Sequence, residues 1–295
     1  MMAKAASLAA DEVFFDLEDS VAPSSKDEAR HAIVSALDSN DYAGKTVAVR
    51  INAVASKWAA ADLEFVLRGA GAQLDCVLVP KVEHGHEVMF VDHMLRMIEA
   101  SRGLDRRLGI EAQIESATGL ANVFDIARSS ERLEALVFGP ADMSASLGLP
   151  ATTVGPPQPG YPGDHWHAVL VRILVAARAS GLQAIDGPHL VIRDLDGLRE
   201  MSVRSKALGY DGKWAVHPSH IDVLNEVFTP VQEDYDKAEA LLARYRHATN
   251  EEKRGVLMFG DEMIDEASAK MAERVAARGR AAGLEVTQGP RHYES

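Results

Sequence analysis

The stretch VFFDLED at residues 13–19 decides the fold class, because an apolar run in it stops abruptly at charged side chains. A buried strand of a parallel sheet has this pattern when its last residue emerges at the edge of the sheet. Further strand-like runs end at a charge in the same way, with Arg50, Lys81, Glu115 and Asp142 at or just after their ends. In (β/α)8 barrels that edge carries the chemistry. The pattern therefore predicts one pocket lined by acids, an arginine and a lysine.

Outward from these runs, strand and helix patterns alternate up to about residue 230. The strand candidates are residues 12–17, 46–52, 75–80, 109–115, 134–139, 183–187 and 212–217, and the helix candidates between them include 25–39, 58–69, 88–102, 117–129 and 165–180. Such alternation predicts an α/β fold with a parallel sheet. These are seven strands, whereas a closed barrel needs eight. We predict a TIM-type (β/α)8 barrel over residues 1–230 that lacks its first strand, unless another segment closes the sheet.

Two other segments complete the predicted organisation. Residues 231–295 form a C-terminal extension with a charged helix at 233–246, a hairpin-like stretch at 255–261 and a final helix from about 264 to 282. The proline- and glycine-rich residues 155–163 predict a long loop, of the kind that shapes substrate entry or is an ordinary surface insertion.

Composition limits the classes of partner. The formal net charge of −13 argues against nucleic acid or an anionic membrane, because both require a basic surface. No segment approaches the roughly 20 consecutive apolar residues of a membrane span. The single cysteine, Cys76, lies in an apolar run and is expected to be a core residue in a reducing compartment. We therefore expect a cytoplasmic protein.

Glu115 and Asp142 form the sharpest candidate site, because each follows an apolar strand and neighbouring strands bring their ends together. Two carboxylates with waters and substrate oxygens are how Mg²⁺ is usually held. The alternative is that both acids only stabilise the amino termini of the helices that follow them.

The charged residues at the other strand ends also have two readings each. Arg50 is expected to bind an anion through its planar guanidinium group, and the alternative is a structural ion pair with Glu18 or Asp19. The acids of residues 16–19 either form a helix-entry turn or hold water beside a metal. No glycine-rich dinucleotide motif occurs, so a nicotinamide or flavin enzyme is unsupported.

A series of motifs in order resembles one known family. They are DLEDSV at 16–21, VRIN at 49–52, PKVE at 80–83, QIES at 113–116, FGPADMS at 138–144, AIDGP at 184–188, GYDGKWAVHP at 209–218 and MID at 263–265. Together they resemble the HpcH/HpaI aldolase and citrate lyase β-subunit (CitE-like) family, and within it the CoA-ester lyases. The segment GDHWH at 163–167 is similar to the malyl-CoA and β-methylmalyl-CoA lyases.

The resemblance implies a role for each matching residue. Glu115 and Asp142 would bind Mg²⁺, with Mn²⁺ as a substitute, and Glu18 and Asp19 would hold water beside the metal. Arg50 would polarise the carbonyl that becomes the enolate oxygen. Asp265 would lie on a lid that reaches a neighbouring subunit and would act there as the acid or base, whereas its sequence context alone indicates a helix cap. Lys4 and Lys81 would contact substrate or CoA, and Lys81 also has the pocket carboxylates as partners.

The activity implied is reversible cleavage of malyl-CoA or β-methylmalyl-CoA to acetyl-CoA or propionyl-CoA and glyoxylate, a small 2-oxo acid. A lid that serves a neighbour implies a homotrimer or a hexamer. Three alternatives remain open at this point: a citrate lyase β-subunit or citramalyl-CoA lyase, an acyl-CoA thioesterase, or a non-catalytic relative. Family members begin with one more strand before the segment at residues 2–5, so the resemblance also implies that this chain lacks it.

Overall fold

The computed structural model describes residues 2–103, 106–150 and 160–289. The chain separates into two compact units, Met1–Asn225 and Glu226–Ser295. Residues 155–159 of the predicted proline- and glycine-rich loop lie outside the described residues. No helix in the described part of the chain is both long enough and apolar enough to cross a membrane.

The first unit contains a seven-stranded sheet, and all neighbouring pairs are parallel. The strands follow one another in chain order, from β1 at one edge to β7 at the other: β1 Glu12–Asp16, β2 Thr46–Arg50, β3 Cys76–Val79, β4 Gly109–Ile114, β5 Leu133–Phe138, β6 Gln183–Asp186 and β7 Gly212–Lys213. The predicted strands and their parallel arrangement are confirmed.

Helices occupy the connections between the strands, as a parallel sheet requires. The first helix, α1 Met2–Ala6, precedes β1, and the helices of the connections are α2 Lys26–Ser39, α3 Ala59–Ala70, α4 Gly85–Arg102, α5 Ala117–Ala121, α6 Val123–Ile126, α7 Pro140–Ser146, α8 His167–Ala179 and α9 Leu195–Leu208. Helix α10 Ile221–Phe228 follows β7. The predicted helix at 117–129 is two short helices, α5 and α6. Asn122 separates them, and its side chain donates a hydrogen bond to the Glu83 carbonyl oxygen over 2.9 Å.

The sheet curls until its two edges face each other. The ring of Phe14 on β1 lies 4.6 Å from the ring of Trp214, which follows β7 directly. Over the residues that the structure describes, the fold is therefore a TIM-type barrel with seven strands where the closed form has eight. Strand β7 is shorter than predicted. Its backbone pairing continues only to Trp214, whose N–H donates to the Asp186 carbonyl oxygen, before the chain turns into a short 3₁₀ helix at Pro218.

Strand register places the functional side chains. Residues two apart on a strand share one face, and partners in a parallel pair face the same way. Phe14 and Asp16 therefore share the face of β1 whose partners on β2 are Ala48 and Arg50. The charges at the carboxyl ends consequently converge, while most of the remaining strand positions are fully buried.

The second unit consists of α11 Gln232–Asn250, a two-stranded antiparallel hairpin and α12 Glu266–Ala281. The hairpin strands are β8 Leu257–Phe259 and β9 Glu262–Ile264. Leu257, Phe259 and Ile264 pack with the alanine-rich faces of the two helices in one small core. The final helix starts two residues later than predicted because Ile264 belongs to β9.

Candidate active site

The carboxyl ends of β1 to β5 bring together a group of polar side chains that we call the mouth cluster. It consists of Asp16, Glu18, Asp19, Arg50, Lys81, Gln113, Glu115 and Asp142. Ion pairs or hydrogen bonds connect all of these side chains. The expected convergence of acids, an arginine and a lysine is thus present in the structure.

Arg50 is held rigidly by Asp16. Its Nε and Nη2 donate to the two Asp16 carboxylate oxygens, each over 2.7 Å. The guanidinium carbon also lies 5.8 Å from the Phe14 ring centre and 5.6 Å from that of Trp214. Burial opposes the charge on Asp16, but the pairing with Arg50 outweighs it and lowers the pKa of Asp16 below its usual value. The third nitrogen, Nη1, lies 3.6 Å from a carboxylate oxygen of Glu18 and 3.5 Å from the side-chain oxygen of Gln113.

The contacts of Arg50 can be compared with the alternative that it forms only a structural ion pair with Glu18 or Asp19. The tight ion pair is with Asp16, a partner that the sequence analysis did not propose, and the contact with Glu18 is longer. A bidentate pair at one edge of the guanidinium group fixes its orientation. Arg50 therefore has a fixed edge and a second edge that faces the other acids.

Lys81 lies among three carboxylates. Its Nζ is 2.6 Å from Glu18, 2.9 Å from Asp19 and 3.7 Å from Asp142. Burial alone would lower the pKa of Lys81, but its carboxylate partners, Glu18 first, raise it above the usual value. Lys81 is therefore a permanent cation and no candidate for a neutral amine nucleophile. Pairing with pocket carboxylates is the role that these contacts support.

The backbone of Lys81 also contributes. Its φ is 52°, in the left-handed region that costs a residue with a side chain about 1 kcal/mol or more. In this conformation the Lys81 N–H donates to Oε1 of Glu115 over 2.8 Å. The strained turn after β3 thus orients the carboxylate of Glu115.

Glu115 is buried and its two oxygens have different donors. Oε1 accepts from the Lys81 backbone, and Oε2 accepts from Nε2 of Gln113 over 2.7 Å. Burial and, second, the nearby charge of Asp142 raise the pKa of Glu115 to about 8. A Cβ on Gly139 would stand 2.3 Å from Oε2, so glycine is needed there to leave room for the carboxylate. None of these contacts caps a helix, since Ser116 caps α5.

Asp142 lies in the first turn of α7, directly after β5. Its side chain is 40 % exposed, and Lys81 is its neighbour in the mouth cluster. The N-cap residue of α7 is Gly139, which offers no side chain. Asp142 can therefore favour the helix only through its charge, and its carboxylate remains open to a ligand.

The donor set of this pair fits a divalent cation. Glu115 and Asp142 offer hard carboxylate oxygens, which Mg²⁺ and Mn²⁺ prefer. The raised pKa of Glu115 reflects burial beside another negative charge, and a bound cation would remove that penalty. Glu18 and Asp19 contact the same Lys81 ammonium group that lies 3.7 Å from Asp142.

Gln113 is a site residue that the sequence analysis missed. It is 3 % exposed and lies between Arg50 and Glu115, accepting from the first and donating to the second. Its position two residues before Glu115 on the same strand was the available signal, because residues two apart share a face. Asp16 was visible as one of the acids at 16–19, but its pairing with Arg50 was not.

The other two predicted residues lie elsewhere. Lys4 is exposed on α1, and within the described part of the chain it forms no ion pair with the mouth cluster. Asp265 belongs to the second unit, where it caps α12 by accepting from the Ser268 N–H over 3.0 Å. That backbone hydrogen bond and others of the same turn lower the pKa of Asp265 against the opposing effect of burial. Its carboxyl group is therefore ionised at neutral pH.

Two known proteins are similar to this chain over most of its length. The chain is 36% identical over 288 residues to the L-malyl-CoA/beta-methylmalyl-CoA lyase of Rhodobacter capsulatus, covering 95% of this chain and 90% of the relative. It is 31% identical to a (3S)-malyl-CoA thioesterase of Cereibacter sphaeroides, covering 94% of this chain and 90% of that protein.

A solved structure extends the comparison to the fold. Protein CitE from Mycobacterium tuberculosis, in complex with magnesium, acetoacetate and coenzyme A, superposes with a TM-score of 0.70 at 30% identity, over 94% of this chain and 91% of that one. The profile of the HpcH/HpaI aldolase/citrate lyase family matches residues 1–218. The family resemblance of the motifs is confirmed, and the chain belongs to the HpcH/HpaI aldolase/citrate lyase family.

Proposed function

We propose that this protein is a divalent-metal-dependent carbon–carbon lyase that cleaves malyl-CoA or β-methylmalyl-CoA to glyoxylate and acetyl-CoA or propionyl-CoA, reversibly. The observation that carries the proposal is the meeting of Glu115, Asp142 and a rigidly oriented Arg50 in one cluster. The similarity to a relative named L-malyl-CoA/beta-methylmalyl-CoA lyase supports this substrate class.

Glu115 and Asp142 would hold the metal, with Mg²⁺ preferred and Mn²⁺ as a substitute. When bound, Mg²⁺ supplies Lewis-acid polarisation of the carboxylate and hydroxyl oxygens of the substrate. Gln113 and the Lys81 backbone keep the Glu115 carboxylate in place. Glu18 and Asp19 would hold water beside this position, and Lys81 forms an ion pair with each of them.

Arg50 would stabilise the negative charge that develops during the reaction. In cleavage, the hydroxyl group loses its proton to water, its carbon becomes the aldehyde of glyoxylate, and the bond between the α- and β-carbons breaks. The electron pair of that bond remains as a thioester enolate. A donor aimed at the enolate oxygen is worth about 10²- to 10³-fold in rate when it is preorganised. The Asp16 pair supports this role, because it fixes one edge of Arg50 and leaves Nη1 directed into the cluster.

Asp265 would exchange a proton with the α-carbon of the acyl group. Its lowered pKa supports the ionised form, which removes the proton in the condensation direction. By the family resemblance we propose that Asp265 serves the site of a neighbouring copy in a homotrimer or a hexamer. Lys4 and Lys81 are proposed to contact the CoA portion.

A second candidate activity is hydrolysis of the thioester. It is favoured by the similarity to a relative named (3S)-malyl-CoA thioesterase. The two reactions share the substrate and differ in the bond that breaks, so their products distinguish them.

The test follows glyoxylate, malate, acetyl-CoA and free CoA after adding L-malyl-CoA, with and without Mg²⁺. We expect Mg²⁺-dependent release of glyoxylate and acetyl-CoA. Asp142→Ala should lower the rate by at least about 10³-fold, while Asp38→Ala, which changes an exposed acid on α2, should retain it. Free CoA with malate would establish the thioesterase instead, and no turnover of malyl-CoA, β-methylmalyl-CoA or citramalyl-CoA would overturn the proposal.

A further inference from the structure

The amino-terminal half of the same sheet carries a second group of titratable side chains, which we call the floor cluster: Glu12, Cys76 and Glu111. One carboxylate oxygen of each glutamate and Sγ of Cys76 all lie within 4.8 Å of one another. Cys76 is 1% exposed and Glu111 is 7% exposed. The mouth cluster uses none of these three residues.

Strand register explains why these residues meet. Glu12 is two residues before Phe14, whose partner on β2 is Ala48, and Ala48 in turn pairs with Cys76 on β3. Leu78, two residues after Cys76, pairs with Glu111 on β4. All of these residues share the inner face of the curled sheet. The contact between Glu12 and Glu111 therefore joins the edge strand β1 to β4 across two intervening strands.

The charges around the floor cluster are mainly negative. Glu134 on β5 and Asp75 before β3 face it and add to the repulsion. The nearby cations have other partners: Arg106 pairs with Asp75 over 2.7 Å, and Arg107 faces Glu134. Among the described residues, no ion pair reaches Glu12 or Glu111. Two adjacent carboxyl groups, Glu12 half-buried and Glu111 buried, cannot both be ionised cheaply without a cation.

We propose that Glu12 and Glu111 share a proton and act as a pH-sensitive clamp that ties edge strand β1 across the floor of the sheet to β4. Burial, followed by the neighbouring carboxylates, raises the pKa of the Cys76 thiol well above its usual value, so in the absence of a metal ion the thiol is neutral and adds no charge to the pair. A shared proton needs only the contact between the two carboxyl groups, and a bound metal ion is the alternative that the test distinguishes.

Burial is also the main reason that the pKa of Glu12 rises from 4.5 to about 7 and that the pKa of Glu111 rises well above its usual value. A raised pKa in the folded state means that the folded protein holds protons which the unfolded chain releases. The stabilisation is complete below about pH 4.5 and is lost as the pH rises through about 7. Glu12 and Asp16 are the first and last residues of β1, so one strand carries both the clamp and the partner of Arg50.

The experiment compares the thermal midpoint (Tm) of wild type, Glu12→Gln and Glu28→Gln between about pH 5.5 and about pH 8.5. Glutamine at position 12 can donate to Glu111 without titrating, and Glu28 is an exposed acid on α2 that serves as the matched control. We expect the wild-type Tm to fall on the order of 5 °C more than that of Glu12→Gln across this range. Glu28→Gln should follow wild type.

Parallel Tm curves for wild type and Glu12→Gln would overturn the proposal. Infrared spectroscopy tests it further as the difference between Glu115→Gln and the Glu12→Gln/Glu115→Gln double variant, because the pKa values of Glu115, Glu18 and Glu134 are also raised. A protonated carboxyl band that is present at about pH 6 in the first variant, disappears at alkaline pH and is lost in the double variant supports a shared proton. Absence of that band, or a stoichiometric metal ion that wild type retains through dialysis and Glu12→Gln loses, would contradict it.

Discussion

The mouth cluster and the floor cluster lie on the same strands, yet they manage their negative charge differently. At the mouth, two of the acids pair closely with Arg50 and Lys81, and Asp142 remains 40 % exposed. At the floor, Glu12 and Glu111 lie together beside a neutral thiol, and the nearby arginines pair with Asp75 or face Glu134. The mouth is therefore suited to exchange a ligand, and the floor to hold a proton.

Two glutamates on one strand illustrate the difference between the mouth cluster and the floor cluster. Glu111 and Glu115 are four residues apart on β4 and its end, so the strand repeat directs both to the same face. Burial raises the pKa of each, but only Glu115 receives hydrogen bonds from a strained backbone turn and a glutamine. The surroundings of a carboxyl group, rather than its place in the strand pattern, determine its role.

The largest difference in activity is expected between two variants, each with one of these glutamates replaced by glutamine. Glu115→Gln should lower kcat/KM for malyl-CoA by at least about 10³-fold, because it removes a carboxylate proposed to hold the metal. Glu111→Gln keeps a hydrogen-bonding partner for Glu12 and should leave kcat/KM within about twofold at neutral pH. Steady-state kinetics with saturating Mg²⁺ measures both. Comparable losses in the two variants would break the distinction between mouth and floor.

Arg50→Lys should produce the next largest effect. Lysine keeps the positive charge but cannot form the two-pronged pair with Asp16, so the donor aimed at the developing enolate loses its orientation. We expect kcat to fall about 10²- to 10³-fold with little change in Tm. The matched control is Arg68→Lys, an exposed arginine on α3 paired with Glu64. Full activity of Arg50→Lys would show that charge alone is sufficient at the mouth.

A smaller effect is expected for Gln113→Leu. This change removes the donor to Glu115 Oε2 and the acceptor for Arg50, while both partners remain. Loss of a hydrogen bond that orients a metal-binding side chain typically costs about 10- to 100-fold in metal affinity or activity. We expect the Mg²⁺ concentration for half-maximal activity to rise by that factor. Gln73→Leu, at an exposed glutamine that bonds Asp38, is the control. An unchanged Mg²⁺ requirement would contradict the positioning role.

Much of the fold could be read from hydrophobic periodicity. Apolar runs that stop at Asp16, Arg50 and Glu115 indicated buried parallel strands, and these strands are present with ends displaced by a few residues. Strand β7 was overestimated because the apolar residues after Lys213 continue the pattern, while hydrogen bonding to β6 ends at Trp214. The split between α5 and α6 was missed; at the break, Asn122 bonds a carbonyl group 39 residues away, which local periodicity does not reveal.

For the candidate site, the chain itself specified which residue types reach the carboxyl ends of the strands, since a side-chain period of two and a charge after each apolar run are local properties. Folding selected their partners. Three pairings depend on the curl of the sheet. Asp16 rather than Glu18 forms the close ion pair with Arg50, Gln113 bonds both Arg50 and Glu115, and Glu12 contacts Glu111 across two strands. Such pairings arise between residues remote in sequence, where neither spacing nor composition carries information about distance, burial or the resulting pKa.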